Sequence, residues 1–116
     1  MSQILTPDQL VSELRLISSR ISKGVSEVHN LELAMDEASR NLDVAKARVG
    51  ISLSGTVEKN KAQIELATVE QRHAFDVCKA AFNYAKGLLK ALEGAQMSTM
   101  AQLRAVESTY RNAGRE

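Results

Sequence analysis

Residues 10–49 read LVSELRLISSRISKGVSEVHNLELAMDEASRNLDVAKARV. Alternating steps of four and three residues from Leu10 to Val49 give twelve positions. Eleven of them hold an apolar residue, and the remaining one is Gly24. An apolar repeat every 3.5 residues is typical of a long helix that packs against another long helix in a left-handed supercoil. The twelve positions, called the first seam below, are Leu10, Leu14, Ile17, Ile21, Gly24, Val28, Leu31, Met35, Ala38, Leu42, Ala45 and Val49.

The residues just before this stretch predict where the first helix begins. Thr6 is a good N-cap, Pro7 suits the first helical position, and Gln9 completes a capping box of the form Thr-x-x-Gln. Leu5 and Leu10 have the spacing of a hydrophobic staple across the same helix start. We therefore expect the first helix to cover residues 7–49.

Residues 50–56, Gly-Ile-Ser-Leu-Ser-Gly-Thr, interrupt the helical pattern and predict a turn. Gly50 suits the position after a helix end, and either Ser54 or Thr56 can cap the next helix. Because the turn is short, the two flanking helices should be antiparallel neighbours. The apolar residues Ile51 and Leu53 either pack beneath the helix ends or face a partner.

A second helix is predicted over residues 57–93. Gly94 and Ser98 then favour a break or kink, followed by a C-terminal helix over residues 98–111. The alternative is one continuous helix to about Arg111, because Met100, Leu103, Val106 and Tyr110 keep a helical spacing. The whole chain, residues 1–116, is thus expected to be one all-α domain, a long coiled-coil-like antiparallel hairpin with a C-terminal helical segment. The second seam of this hairpin is predicted at Ile64, Gln71, Phe75, Cys78, Phe82, Ala85, Leu89 and Leu92.

A turn centred near Leu53 would place Gly24 opposite Phe82. A glycine in the first seam would then make room for a large aromatic side chain across the interface.

The composition limits the classes of function. Apolar residues make up 44% of the chain but aromatic residues only 3%, which suits narrow helix–helix packing. The formal net charge of +1 gives no general attraction to nucleic acid or to an anionic membrane. Cys78 is the single cysteine, and the N-terminal residues lack the pattern of a signal peptide, so we expect a cytoplasmic protein.

The residue types that carry catalysis or bind metals are sparse. His29 and His73 are the only histidines, and neither has other ligands at metal-binding spacing on its own helix face. His73 and Cys78 are five residues apart, so they point in directions roughly 140° apart on a helix and cannot form a nucleophile–base pair. We expect no enzymatic activity, no catalytic or metal-binding residues and no cofactor.

Four basic residues gather near the predicted turn, where the second helix also presents its N-terminus. This tip could contact an anion or a nucleic acid, or it could be an ordinary solvated end of the hairpin. The four residues are Lys46, Arg48, Lys59 and Lys61.

Several apolar residues lie where one partner helix cannot cover them. A hairpin buries only one stripe of each helix, so we expect self-association, most simply a two-fold dimer that forms a helical bundle. The predicted oligomer or partner surface consists of Val11, Leu16, Val25 and Leu33 on the first helix and Met97, Met100, Leu103 and Tyr110 near the C-terminus.

Three segments give the chain a resemblance to small helical proteins of tailed bacteriophages that are encoded among replication and recombination genes. They are DVAKAR at residues 43–48, GTVEKNK at residues 55–61 and EQR at residues 70–72. The resemblance covers most of residues 10–93 and implies a phage accessory protein in the host cytoplasm, with no catalytic residues to carry over.

The functional hypothesis is therefore a protein–protein interaction module, either a recombination accessory or an inhibitor of a host factor. One alternative is a nucleic-acid-binding accessory protein that uses the basic tip. The other is a small-ligand sponge with a site at a subunit interface.

Overall fold

A computed structural model describes residues 6–113, and these residues form three α-helices. Helix α1 covers Pro7–Ile51, α2 covers Val57–Ala67 and α3 covers Val69–Ala113. The described residues contain no strand, so the all-α prediction is confirmed. None of the helices within residues 6–113 is both long enough and apolar enough to cross a membrane.

The start of α1 forms the predicted capping box. The backbone N–H of Thr6 donates to Gln9 Oε1 at 2.9 Å, and the N–H of Gln9 donates to Thr6 Oγ1 at 3.3 Å. Two backbone N–H groups without partners inside the helix are thereby satisfied. Leu10 is only 1% exposed, whereas Leu5, its predicted staple partner, lies outside the described residues.

The first seam is confirmed along its whole length. All twelve of its residues are buried or half-buried, and Leu10, Ile17 and Leu42 are the most deeply buried of them. Most of the other α1 residues are exposed. The 3.5-residue repeat therefore identified the packed side of α1 correctly.

The turn begins later than the sequence predicts, because α1 continues through Gly50 to Ile51. The N–H of Ser52 then donates to the carbonyl of Val49 at 3.2 Å, and the N–H of Leu53 donates to the carbonyl of Gly50 at 3.3 Å. Gly50 is therefore helical and is not the residue that follows the helix end. Ile51 is 86% exposed, so it does not pack beneath the helix ends, while Leu53 is half-buried.

Thr56 is the residue that caps α2. Its Oγ1 accepts from the N–H of Lys59 at 3.3 Å, and its carbonyl accepts from the N–H of Asn60 at 2.9 Å. Helix α2 has no buried residue, in keeping with the few apolar residues that the sequence places near the turn.

Thr68 separates α2 from α3, although the sequence predicts one uninterrupted helix here. Its φ and ψ are −115° and 21°, outside the helical region. Its N–H and its Oγ1 both donate to the carbonyl of Ile64, at 3.1 and 2.7 Å. Threonine hydroxyl groups that bond four residues back are known to bend helices, which accounts for the interruption.

Helix α3 continues through Gly94 and Ser98 to Ala113, so the predicted break and the separate C-terminal helix are both wrong. A Cβ built on Gly94 would meet no atom within 4 Å. The glycine therefore weakens the helix only through its backbone freedom, a cost of about 1 kcal/mol. The continuing pattern of Leu103 and Val106 outweighs that cost.

The second seam contains all eight predicted residues, each buried or half-buried. It also contains three polar residues that the prediction omitted: Thr68 and Thr99 are buried, and Gln96 is half-buried. Leu103 and Val106 extend it toward the end of α3. Continuing the same alternation of three and four residues would have located all of them.

The described chain divides into two compact units, each containing parts of α1 and α3. In the first unit, residues 6–26 and 86–113, Gln96 Nε2 donates to Ser18 Oγ at 3.2 Å. A Cβ on Gly24 would lie 3.2 Å from Leu89 Cδ1. The two helices are therefore antiparallel in this unit, and the predicted pairing of Gly24 with Phe82 is wrong by one heptad.

In the second unit, Glu27–Ala85, a Cβ on Gly50 would lie 3.5 Å from Ile64 Cδ1, so α1 contacts α2 next to the turn. Gly50 and Ile64 are equally distant in sequence from Val57, as are Ser18 and Gln96 in the first unit. The centre of the turn is thus four residues beyond Leu53, which explains the error in the predicted register.

Candidate functional site

A groove lies beside the turn in the second unit, where the last turns of α1 meet the beginning of α2. Its volume is about 380 Å³. Its lining residues are Lys46, Val57, Asn60, Lys61, Ile64 and Glu65.

The groove combines an apolar wall with three ionisable side chains. Val57 and Ile64 provide the apolar surface, and Val57 is 84% exposed. Lys46 and Lys61 contribute two cations, and the carboxylate of Glu65 offsets one of them. The groove therefore has a small positive excess and could hold a ligand with an apolar part and an acidic part.

The structure brings only part of the predicted basic tip together. Lys46 and Lys61 line the groove, whereas Arg48 and Lys59 do not, and both of these are exposed. Burial separates the two residues of α1: Lys46, beside the seam residue Ala45, is half-buried, whereas Arg48, beside the seam residue Val49, is exposed, as is Lys59. Asn60 and Glu65 were missed because the prediction considered basic residues alone.

The apolar residues predicted to form an oligomer or partner surface are exposed, with one exception. On α1, Leu16 and Val25 are each 52% exposed and Leu33 is 53% exposed, while Val11 is 37% exposed. On α3, Met97, Met100 and Tyr110 are also exposed. Leu103 is half-buried in the second seam, so less of its side chain is available to a partner.

The histidines and the cysteine lie in different surroundings. His29 and His73 are exposed, and Cys78 is a free, half-buried thiol in the second seam. Within residues 6–113, no three His, Cys, Asp or Glu side chains are grouped closely enough to hold a metal ion.

Comparison with known proteins identifies no relative: no protein-family model, curated protein or solved structure matches this chain.

Proposed function

We propose that the protein is a non-enzymatic interaction module, a phage accessory factor that self-associates and binds a host or phage protein. The observation that carries this proposal is the exposure of apolar side chains that lie outside the seams. Leu16, Val25 and Leu33 of α1 each leave about half of the side chain exposed. Each of them is a candidate contact for another protein, since burial of apolar area drives most protein association. Leu16 and Val25 are nine residues apart and so face opposite sides of α1, which makes them separate contacts.

A capture experiment with matched surface variants tests the partner-binding role. The wild-type protein and the variants Leu16→Lys, Val25→Lys and Leu33→Lys are immobilised, and proteins retained from a host lysate are quantified. A true partner is retained by the wild type and reduced by at least one of these variants. Asn41→Lys, at an exposed polar position of α1 two turns beyond Leu33, should retain the partner. If every variant retains the same proteins as the wild type, the proposed surface is wrong.

Nucleic-acid binding remains the alternative, and the placement of Lys46 and Lys61 in one groove favours it. Neutralising phosphates releases counterions, so such binding weakens steeply as salt increases. Binding to single- and double-stranded DNA should therefore be compared at low and high salt. Loss of binding in Lys46→Ala and Lys61→Ala, but less in Arg48→Ala and Lys59→Ala, would identify the groove. Equal binding by all five proteins would exclude it.

The groove also favours a small-ligand function, although at a site within one chain and not at the subunit interface expected from the sequence. Its apolar wall and two lysines suit a compound that carries a carboxylate or a phosphate. A thermal-shift screen of amphipathic acids tests it. A ligand that binds only the folded chain raises the melting temperature in proportion to the logarithm of its concentration, and Lys46→Ala should reduce that rise.

A further inference from the structure

The groove beside the turn offers apolar and ionic contacts together. Val57 and Ile64 form its apolar wall, and Lys46 and Lys61 supply its positive charge. Lys46 is half-buried, as is typical of a lysine whose aliphatic stem covers apolar surface while its ammonium group stays in water. Asn60, also half-buried, adds an amide that can donate and accept hydrogen bonds. An occupant with an aliphatic side chain, a carboxylate and a peptide backbone would match all of these contacts.

The volume of the groove limits the size of this occupant. At about 380 Å³, it is near the lower end of the roughly 300–1,000 Å³ that is typical of ligand sites. A groove of this size holds a few side chains of another molecule. A short segment of a larger partner can therefore enter it while the rest of the partner stays outside.

The turn region and the rest of the chain have opposite net charges. Residues 46–61 contain four basic residues and one acidic residue, so their formal net charge is +3, whereas the whole chain has a net charge of +1. The remaining residues therefore have a net charge of −2. Complementary charge speeds association and selects against wrong partners. An acidic segment is thus attracted to the turn and not to the rest of the chain.

The turn also contains the two most exposed large apolar residues of the described chain. Ile51 is 86% exposed and Val57 is 84% exposed. Side chains so exposed gain almost no burial from the fold, whereas an aliphatic side chain placed against Val57 would remove apolar area from water. A purely ionic occupant would leave this area uncovered.

Two features favour a protein segment over a nucleic acid. Glu65 is exposed and lines the groove, and its carboxylate repels phosphate groups. Residues 46–65 contain no aromatic residue on which a base can stack. A peptide, by contrast, can place its carboxylates beside the two lysines and an aliphatic side chain against the apolar wall.

From these observations we infer that the groove binds a short acidic segment of a partner protein. An aliphatic side chain of that segment packs on Val57 and Ile64, and its carboxylates pair with Lys46 and Lys61. The inference rests on the protein-binding role proposed above and specifies the chemistry of the partner. Charge complementarity and the exposed apolar wall carry it together.

Fluorescently labelled peptides of about ten residues test the chemistry of the occupant. One set, the acidic–aliphatic peptides, places leucine or isoleucine between aspartate and glutamate residues. A second set replaces the aliphatic residues by alanine, and a third replaces the acidic residues by lysine. Fluorescence anisotropy should show binding of the acidic–aliphatic peptides, binding at least roughly fivefold weaker in the second set and none in the third. A single-stranded oligonucleotide of similar length serves as an anion without aliphatic side chains.

A matched pair of charge reversals on α2 tests the position. Lys61→Glu reverses a charge in the groove, and Lys59→Glu makes the same change at an exposed position that does not line it. Both variants lower the net charge of the turn equally, so long-range attraction should fall equally. Lys61→Glu should therefore raise the dissociation constant of the acidic–aliphatic peptides roughly fivefold more than Lys59→Glu does. Val57→Thr, which keeps the shape of the side chain but adds a hydroxyl group, should weaken their binding as well.

The outcomes separate the inference from the proposed function. If the wild type captures a protein partner, but Lys61→Glu and Lys59→Glu bind the peptides equally, then protein binding stands and the groove is not its site. If no acidic–aliphatic peptide binds, or if the oligonucleotide binds more tightly than every peptide, the inference is wrong. A wild type that retains no protein would overturn the proposed function, and the inference with it. Circular dichroism verifies that each variant is helical, and if Lys61→Glu does not fold, Val57→Thr decides.

Discussion

At the scale of single residues, Gln71 is the most unfavourable member of the second seam. Its Oε1 atom is buried and has no hydrogen-bond partner, and an unsatisfied buried acceptor costs about 1–3 kcal/mol. Replacement by leucine removes this cost and adds apolar contact. We expect Gln71→Leu to raise the free energy of unfolding by about 1–3 kcal/mol, measured by urea denaturation.

The control for this variant is Gln63→Leu on α2, where the side chain is exposed and the change should have little effect. A loss of stability in Gln71→Leu would show that the amide makes a hydrogen bond, for example through an ordered water molecule. The polar side chain would then help to specify how the two seams pair.

Gly24 allows a close approach of the two helices in the first unit. A Cβ at this position would already lie 3.2 Å from Leu89 Cδ1, so a larger side chain must displace its neighbour. Gly24→Leu should lower the free energy of unfolding by about 1–3 kcal/mol through overpacking, visible in thermal melts. Gly87→Leu is the control, because a Cβ added at Gly87 would meet no atom within 4 Å. Equal stability of the two variants would contradict the register described above.

At the scale of helices, Gly94 provides a direct test of the continuity of α3. The residue is helical and its surroundings are open, so alanine should stabilise the protein by about 1 kcal/mol because it restricts the unfolded chain and favours the helix. Chemical denaturation measures the difference. A destabilised Gly94→Ala variant would instead indicate the break that the sequence suggested.

The capping box at Thr6 should stabilise the beginning of α1. Thr6→Ala removes the oxygen that accepts from Gln9, and we expect a loss of about 0.5–2 kcal/mol. Hydrogen exchange should increase first in the opening turns of α1. Ser12→Ala, at an exposed position within the helix, serves as the control and should be neutral or slightly stabilising. Unchanged exchange in Thr6→Ala would show that tertiary packing, and not the cap, fixes this end.

The helices illustrate what periodicity can and cannot predict. The first seam was predicted completely because its residues are apolar, and apolar burial is the main driving force for helix pairing. Thr68 was missed because a search for apolar residues passes over a polar one at the same spacing, and Gln96 and Thr99 were missed because the second seam was taken to end at Leu92. The break expected at Gly94 was wrong because a local signal was given more weight than the continuing repeat.

The whole molecule was harder to predict than its parts. Exposure of Leu16, Val25 and Leu33 followed correctly from their positions outside the first seam, whereas Leu103 was assigned to the surface because the second seam was taken to end at Leu92. The groove beside the turn could not be predicted from the order of residues alone, because it brings Lys46 of α1 next to residues of α2 on the other side of the turn. The hairpin register depended on the centre of the turn, and a shift of four residues there changed every opposing pair.

Self-association would couple the stability of the protein to its concentration. If the chain self-associates, mass action favours the folded, associated state, and the melting temperature should rise as the protein concentration increases. Calorimetry over a wide concentration range measures this dependence. A wild-type melting temperature that does not vary with concentration would contradict the proposed dimer.

The half-buried thiol of Cys78 can be labelled chemically to follow local opening in the second unit. Because packing in the seam hinders access to the sulfur, the labelling rate should increase with the frequency of local opening in this part of the chain. Because the chain contains only one cysteine, every thiol modification occurs at Cys78. Slower labelling on addition of a binding protein would show that association rigidifies the region, even where the contact itself lies elsewhere.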